Sequence, residues 1–228
     1  MHPKMDVAGL LRNTPFFNGL SDSQLFQIQQ GTSVVRAKKG DILFLKGDQP
    51  TGLYHLVFGQ VKTAFPSVHG SEKVLQILDK GHHIGEVAAL LNCPYPVYAQ
   101  CLTDSLILHI SAQTITNVIT QEPALALHLL QDISERLLKL MQDVEAFSQQ
   151  TTQQRVIHYL LDLTLQQQNM QQASQIRLPT TKGVLASRLS LKPETLSRIF
   201  HQLVTDDLIS VKGRQIQIHD INRLKQII

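Results

Sequence analysis

Residues 193–205, PETLSRIFHQLVT, combine residue types and a spacing that suit the reading of nucleic-acid bases. A helix beginning at Pro193 puts Leu196, Ile199, Phe200 and Leu203 on one side and Glu194, Ser197 and Arg198 on another. Proline suits a first helical position because its missing N–H is an orphan there anyway. The exposed side chains match base edges in the major groove. The arginine fork pairs with guanine O6 and N7, a carboxylate accepts from cytosine N4, and a serine hydroxyl serves either kind of base.

Such a helix needs a partner to hold it. The spacing predicts one over 182–189, with Val184, Leu185 and Leu189 facing inward and the small Ala186 and Ser190 where the two helices approach closely. Lys192, Thr195 and His201 complete the exposed side of the second helix. The following segment, LISVKGRQIQI at 208–218, reads as two short strands turning at Lys212, Gly213 and Arg214. Lys182, Thr195, Lys212 and Arg214 are placed for phosphate or wing contacts, which position a protein on a duplex without reading its sequence. A plain three-helix packing unit with solvated charges is the competing reading. The order of helix, turn, helix and basic wing favours double-stranded DNA. Charge agrees: residues 151–228 carry ten lysines and arginines against five acids, a balance of +5, while the rest of the chain carries −2.

The elements upstream must carry this unit. Leu130, Ile133, Leu137, Leu140, Val144 and Phe147 recur at alternating steps of three and four, with Asp132, Glu135, Arg136, Lys139 and Asp143 on the other faces. An ordinary amphipathic helix packs one such stripe on its own domain. The strict alternation favours a two-stranded seam, hence a homodimer. Residues 31–110 hold eight of the twelve glycines. Between them lie short β-rich runs at 32–36, 41–45, 53–58, 60–65, 72–78, 97–103 and 105–110, which predict an antiparallel sandwich or barrel. Gly59-Gln60 reads as a tight hairpin turn. Residues 6–30 predict short helices with Ser21 as an N-cap, residues 152–165 a further helix, and the glutamine-rich 166–175 a helix end and loop.

Composition bounds the rest. A chain of 228 residues, 43% hydrophobic, can build one or two cores. It has no apolar run of eighteen residues and no signal-peptide pattern at its start, so the expectation is a cytoplasmic protein away from membranes. Two cysteines, Cys93 and Cys101, are too few for a disulfide framework. Gly-x-Ser-x-Gly, P-loop, Gly-x-Gly-x-x-Gly and His-Glu-x-x-His patterns are all missing, which argues against an enzyme.

With these pieces in order, the chain resembles the CRP/FNR superfamily of transcription regulators over nearly its whole length. Gly47–Lys62 resembles the family's β-roll segment, Ile84-Gly85-Glu86 its Gly-Glu turn at the effector pocket, and Pro193–Arg198 the recognition pattern E-x-x-S-R of the FNR branch. The resemblance implies an α+β protein. Its parts would be an N-terminal antiparallel β-roll of the cyclic-nucleotide-binding type (1–120), a long dimerisation helix (121–150) and a C-terminal winged helix-turn-helix (151–228). It implies Glu194, Ser197 and Arg198 as base readers of a palindrome of the TTGAT-N4-ATCAA type, and RNA polymerase as a partner. Gly85, Glu86, Tyr95 and Val97 would border the effector.

Cyclic-nucleotide binders of the family follow the Gly-Glu turn with an arginine that neutralises the phosphate. Here the stretch is Tyr95-Pro96-Val97-Tyr98, so cAMP is not expected. An oxygen-sensing iron–sulfur cluster is not expected either, because no cysteine precedes Cys93. Similarity at 14–20, 155–163 and the recognition segment points to the nitric-oxide-responsive DNR branch, which implies haem. His82 and His83 are the first candidate axial ligands, with His55, His109, Cys93 and Cys101 behind them. A different small molecule, or redox chemistry at the cysteines, is the alternative switch.

Overall fold

The computed structural model describes residues 6–66, 72–167 and 175–228. The chain divides into two compact units, Met1–Leu137 and Leu138–Ile228.

In the first unit, α1 (Val7–Arg12), a 3-10 turn (Pro15–Phe17) and α2 (Asp22–Gln30) precede the sheets. Ser21 caps α2 as expected: its hydroxyl accepts from the Gln24 N–H while the Gln24 side chain accepts from the Ser21 N–H. The strands are β1 (Thr32–Ala37), β2 (Ile42–Phe44), β3 (Gly52–Phe58), β4 (Val61–Pro66), β5 (Glu72–Leu78) and β6 (His83–Ile84). Helix α3 (Glu86–Leu91) follows, then β7 (Tyr98–Cys101), β8 (Ser105–Ser111) and α4 (Ala112–Gln121). They form two antiparallel four-stranded sheets, in the orders β1-β8-β3-β6 and β2-β7-β4-β5.

The face between the sheets buries Phe44, Leu56, Val61, Leu78, Ile84, Tyr95, Ala99 and Ile107. The other face of the first sheet is covered by the helices, burying Leu11, Phe17, Ile28, Leu53, Leu108, Ile110 and Ile115. Alternation along β8 explains the division: Ile107 points to one core, Leu108 and Ile110 to the other.

The expected hairpin at Gly59-Gln60 is not one. β3 and β4 lie in different sheets, so this turn carries the chain across the sandwich. Gly59 has φ +103° and sits so close to Asp104 and Ser105 that a Cβ would lie 2.7 Å from the Asp104 carbonyl oxygen. The glycine signals a strand change under steric confinement, which a sequence cannot tell from a hairpin.

Helix α5 (Pro123–Gln149) runs for 27 residues and crosses from the first unit into the second. The second unit continues with α6 (Thr152–Gln167), β9 (Gln175–Arg177), α7 (Lys182–Arg188), α8 (Pro193–Thr205), β10 (Ile209–Lys212), β11 (Gln215–Ile218) and α9 (Ile221–Lys225). α8 has the bounds expected of it. The wing gains a third strand, β9, paired to β11. Most of the glutamine-rich loop expected at 166–175 falls outside the described residues. A core of Val156, Ile157, Leu160, Leu185, Leu196, Phe200, Leu203, Ile209 and Ile216 unites helices and wing. Among the described residues no helix is long and apolar enough to cross a membrane.

Candidate DNA interface and sensor site

Helix α8 buries Leu196, Ile199, Phe200 and Leu203 and exposes Glu194, Ser197, Arg198 and His201. Steps of three and four put those four on one face, beginning in the first turn. Thr181 caps α7, its side chain accepting from the Val184 N–H. Ala186 is fully buried at the helix crossing, as a small residue there should be. Ser190 serves the turn differently from expectation: it is exposed and left-handed (φ +57°), and the next N–H, of Leu191, returns to the Ala186 carbonyl at 2.8 Å.

Of the expected phosphate contacts, Lys212 and Arg214 are exposed and flank Gly213, which takes φ +63° at the wing tip. Lys182 is half-buried, its ammonium 5.2 Å from the centre of the Phe200 ring, and Thr195 is half-buried.

On α5 the six expected seam positions differ in exposure within the chain. Leu130, Leu137 and Val144 are exposed, but Ile133, Leu140 and Phe147 are half-buried. Phe147 carries the Arg155 guanidinium over its ring at 5.4 Å. The exposed apolar stripe is instead Leu127, Leu130, Leu137, Met141 and Val144, with Leu138 beside it. The half-buried row Ile133, Leu140 and Phe147 adjoins the exposed row Leu130, Leu137 and Val144 on one broad apolar face.

Gly85, Glu86, Tyr95 and Val97 do converge, yet three of them are buried in the core. Tyr95 is 3% exposed, stacks on Phe44 with centroids 3.7 Å apart, and donates its hydroxyl to the Gly52 carbonyl. Burial pushes its pKa up to about 12. Gly85 takes φ +82°, and a Cβ there would lie 2.9 Å from the Tyr95 ring. Glu86 is 4% exposed; one carboxylate oxygen pairs with Arg136 at 2.9 Å and the other, Oε2, is buried without a hydrogen-bond partner.

A polar chain that sequence reading missed adjoins this turn. His55 and His83 face each other across β3 and β6. His83 Nε2 lies 3.1 Å from His55 Nδ1, and His83 Nδ1 donates to Asp132 Oδ2 at 3.3 Å. Arg136 closes the chain, donating to Asp132 at 2.9 Å and to the His83 carbonyl at 3.0 Å. Burial, then the neighbouring His83, lowers the His55 pKa to about 3. Burial works to raise the pKa of Asp132, but the His83 hydrogen bond and the Arg136 charge outweigh it and hold it low. The i,i+4 spacing of Asp132 and Arg136 was the one sequence signal available.

The His82–His83 pair does not fit a haem. An axial ligand needs a free ring nitrogen facing room for a porphyrin. Both His83 nitrogens are engaged, the ring is 2% exposed, and the Phe16 ring lies 3.9 Å away. His82 points elsewhere, with Nδ1 3.0 Å from the Asp79 carbonyl. Among the described residues no group of three or more His, Cys, Asp or Glu side chains is disposed to hold a metal ion. Cys101 is buried, which raises its pKa and works against a reactive thiolate.

Comparison with known proteins agrees with this geometry. Residues 34–122 match the cyclic nucleotide-binding domain and residues 154–227 the Crp-like helix-turn-helix domain. A probable transcriptional regulator, Flp, of Lacticaseibacillus casei is 29% identical over 90% of this chain and 91% of its own. The transcriptional activator Anr of Pseudomonas protegens is 27% identical, covering 80% of this chain and 75% of its own. The structure of FixK2 from Bradyrhizobium japonicum superposes with a TM-score of 0.74 at 18% identity, over 86% of this chain and 96% of that one, a likeness of fold. A cyclic-nucleotide-binding-type domain followed by a long helix and a helix-turn-helix defines a class: a DNA-binding transcription regulator, not an enzyme. The chain belongs to the CRP/FNR family.

Proposed function

We propose that this chain acts as a homodimer on a TTGAT-N4-ATCAA-type palindrome. Glu194, Ser197 and Arg198 read bases, and Lys182, Lys212 and Arg214 hold phosphates. The observation that carries the reading is the exposed Glu194–Ser197–Arg198 face in the first turns of α8, backed by a fully buried opposite face. The protomers pair through the exposed stripe Leu127–Val144 of α5. RNA polymerase is the downstream partner and the cytoplasm the place of action. A gel shift on the palindrome, with Arg198→Ala as control, tests the reading; equal binding to scrambled DNA overturns it.

The effector does not occupy the family's nucleotide position as cAMP would. Tyr95 fills the space beside the Gly-Glu turn, and no cation stands in the 95–98 stretch to meet a phosphate. The misfit of His83 weighs against haem-borne nitric-oxide sensing. A small molecule that alters the Glu86–Arg136 contact is the reading we favour, since Arg136 ties the sensor turn to the long helix. Calorimetry with cAMP and a spectral titration with haemin discriminate these cases. Saturable one-to-one binding of either overturns this choice.

A further inference from the structure

The last three turns of α5 work on two sides. Leu138–Gln149 belong to the same compact unit as the helix-turn-helix. Met141 and Val144 are 62% and 68% exposed, whereas Asp143 and Phe147 are half-buried and make contacts within their own unit. Asp143 meets Arg188, the last residue of α7: Arg188 Nη2 donates to Asp143 Oδ2 at 2.6 Å, with side chains only 11% and 23% exposed. One turn further, Phe147 receives Arg155 of α6. The covalent link between α5 and α6 is just Gln150 and Thr151. The Gln150 N–H still bonds to the Ala146 carbonyl and Thr151 caps α6 with Gln154, so the free torsions are confined to the bond between them, and side-chain contacts across it help to set the angle between α5 and the reading helices.

We infer that Asp143 and Arg188 are positioning residues for DNA reading, which fix the α7–α8 pair to the helix through which the protomers associate. A basic side chain on a helix-turn-helix would ordinarily be assigned to a phosphate. Arg188 is too buried for that, and its guanidinium is spent on a carboxylate of the long helix. A partly buried arginine–carboxylate contact is directional, because the planar fork accepts a narrow range of approaches. One α8 reads one half-site with its own side chains whatever its tilt. Two of them read a palindrome only when held about 34 Å apart with matching orientation. Slack at the α5–α7 joint lowers the effective concentration of the second head at its half-site while leaving the first contact intact. The inference rests on the reading above, of a dimer paired through α5 that reads DNA with α8.

The test uses the full chain as Asp143→Asn, as Arg188→Gln, and as the charge-swapped double variant Asp143→Arg/Arg188→Asp. Affinity is measured on the palindrome, on a duplex with one half-site, and on palindromes with spacers one base pair shorter or longer. Each single variant is expected to lose about tenfold or more on the palindrome, to stay within about twofold on the single half-site, and to discriminate less between spacers. The swap is expected to recover most of the palindrome affinity. Unchanged palindrome binding in the singles, equal losses on palindrome and half-site, or no recovery in the swap overturns the inference. Nitroxide distance measurements between Gln202→Cys sites of the two protomers, in a Cys93→Ser background, read the same property without DNA. A narrow distribution that broadens in Asp143→Asn supports the inference, and one of unchanged width overturns it. Wild-type protein that is dimeric but ignores the palindrome overturns the assigned DNA site, and the distance measurement then decides the inference alone. Monomeric wild-type protein overturns the pairing through α5 and the inference with it.

Discussion

Arg136 of the long helix and Glu86 of the Gly-Glu turn form an ion pair at 2.9 Å whose side chains are 14% and 6% exposed. The same guanidinium holds Asp132 and the His83 carbonyl. One side chain thus bonds the helix at two points to the segment 83–86, at the His83 carbonyl and the Glu86 carboxylate, and is itself braced by Asp132 one turn back on the same helix.

Arg136→Met should leave the Glu86 and Asp132 carboxylates without their cation. Removing one partner of a buried pair costs about 3–5 kcal/mol, mostly as uncompensated charge. Urea unfolding should show that loss in Arg136→Met. Arg136→Met/Glu86→Gln should recover part of it; an additive double variant would argue that the two do not interact.

Acid should weaken the first unit from an unusually high pH. His55 titrates near 3 in the fold and near 6.5 when unfolded. Between those values the unfolded chain binds the proton and the folded chain does not. The contribution is therefore complete above about pH 6.5 and falls away as pH drops toward 3. Asp132, whose pKa is also held low, loses its stabilisation in the same direction, beginning only near the ordinary carboxylate range. The drop in Tm from pH 7.5 to 5.5 should shrink in His55→Gln. An unaltered slope would mean that another group carries it.

Arg198→Ala should weaken palindrome binding by about 1–3 kcal/mol and relax specificity at one base pair per half-site, with Tm unchanged because the side chain is exposed. Lys212→Ala should weaken all DNA alike and reduce the salt slope by about one unit per protomer. Binding titrations at several salt concentrations separate the two behaviours.

Charge on the exposed stripe of α5 should split the dimer. Leu137→Glu or Met141→Glu should give folded monomers by sedimentation, because each leucine-sized side chain buried at a contact is worth about 1.5–3 kcal/mol. Phe147→Ala should instead act on the second unit's own stability, since that ring packs on Arg155. Monomers from Phe147→Ala but not from Met141→Glu would restore the seam first read from the sequence.

That seam shows where sequence reading stops. Periodicity revealed that α5 is long and amphipathic, but it does not grade the positions of a broad apolar face, and only the fold leaves Ile133, Leu140 and Phe147 half-buried while Leu127 and Met141 are exposed. The recognition helix was legible to the residue because Pro193, its apolar spacing and its exposed polar face all agree. Strands β6 and β9 escaped notice at two and three residues, too short for alternation to register. With β6 went the His55–His83 contact, which joins residues 28 apart through strand register. The site's polar chain is tertiary, and no local pattern announces it.

The two-sided ending of α5 also limits how this protein can drift. Inward contacts hold Asp143 and Phe147, and the outward stripe holds Met141 and Val144. What remains uncommitted is a narrow strip of exposed polar positions: Lys139, Gln142, Glu145, Ser148 and Gln149. Random mutagenesis with selection for repression or activation should find tolerated changes crowded into that strip. Functional variants elsewhere in these turns should appear as compensating pairs.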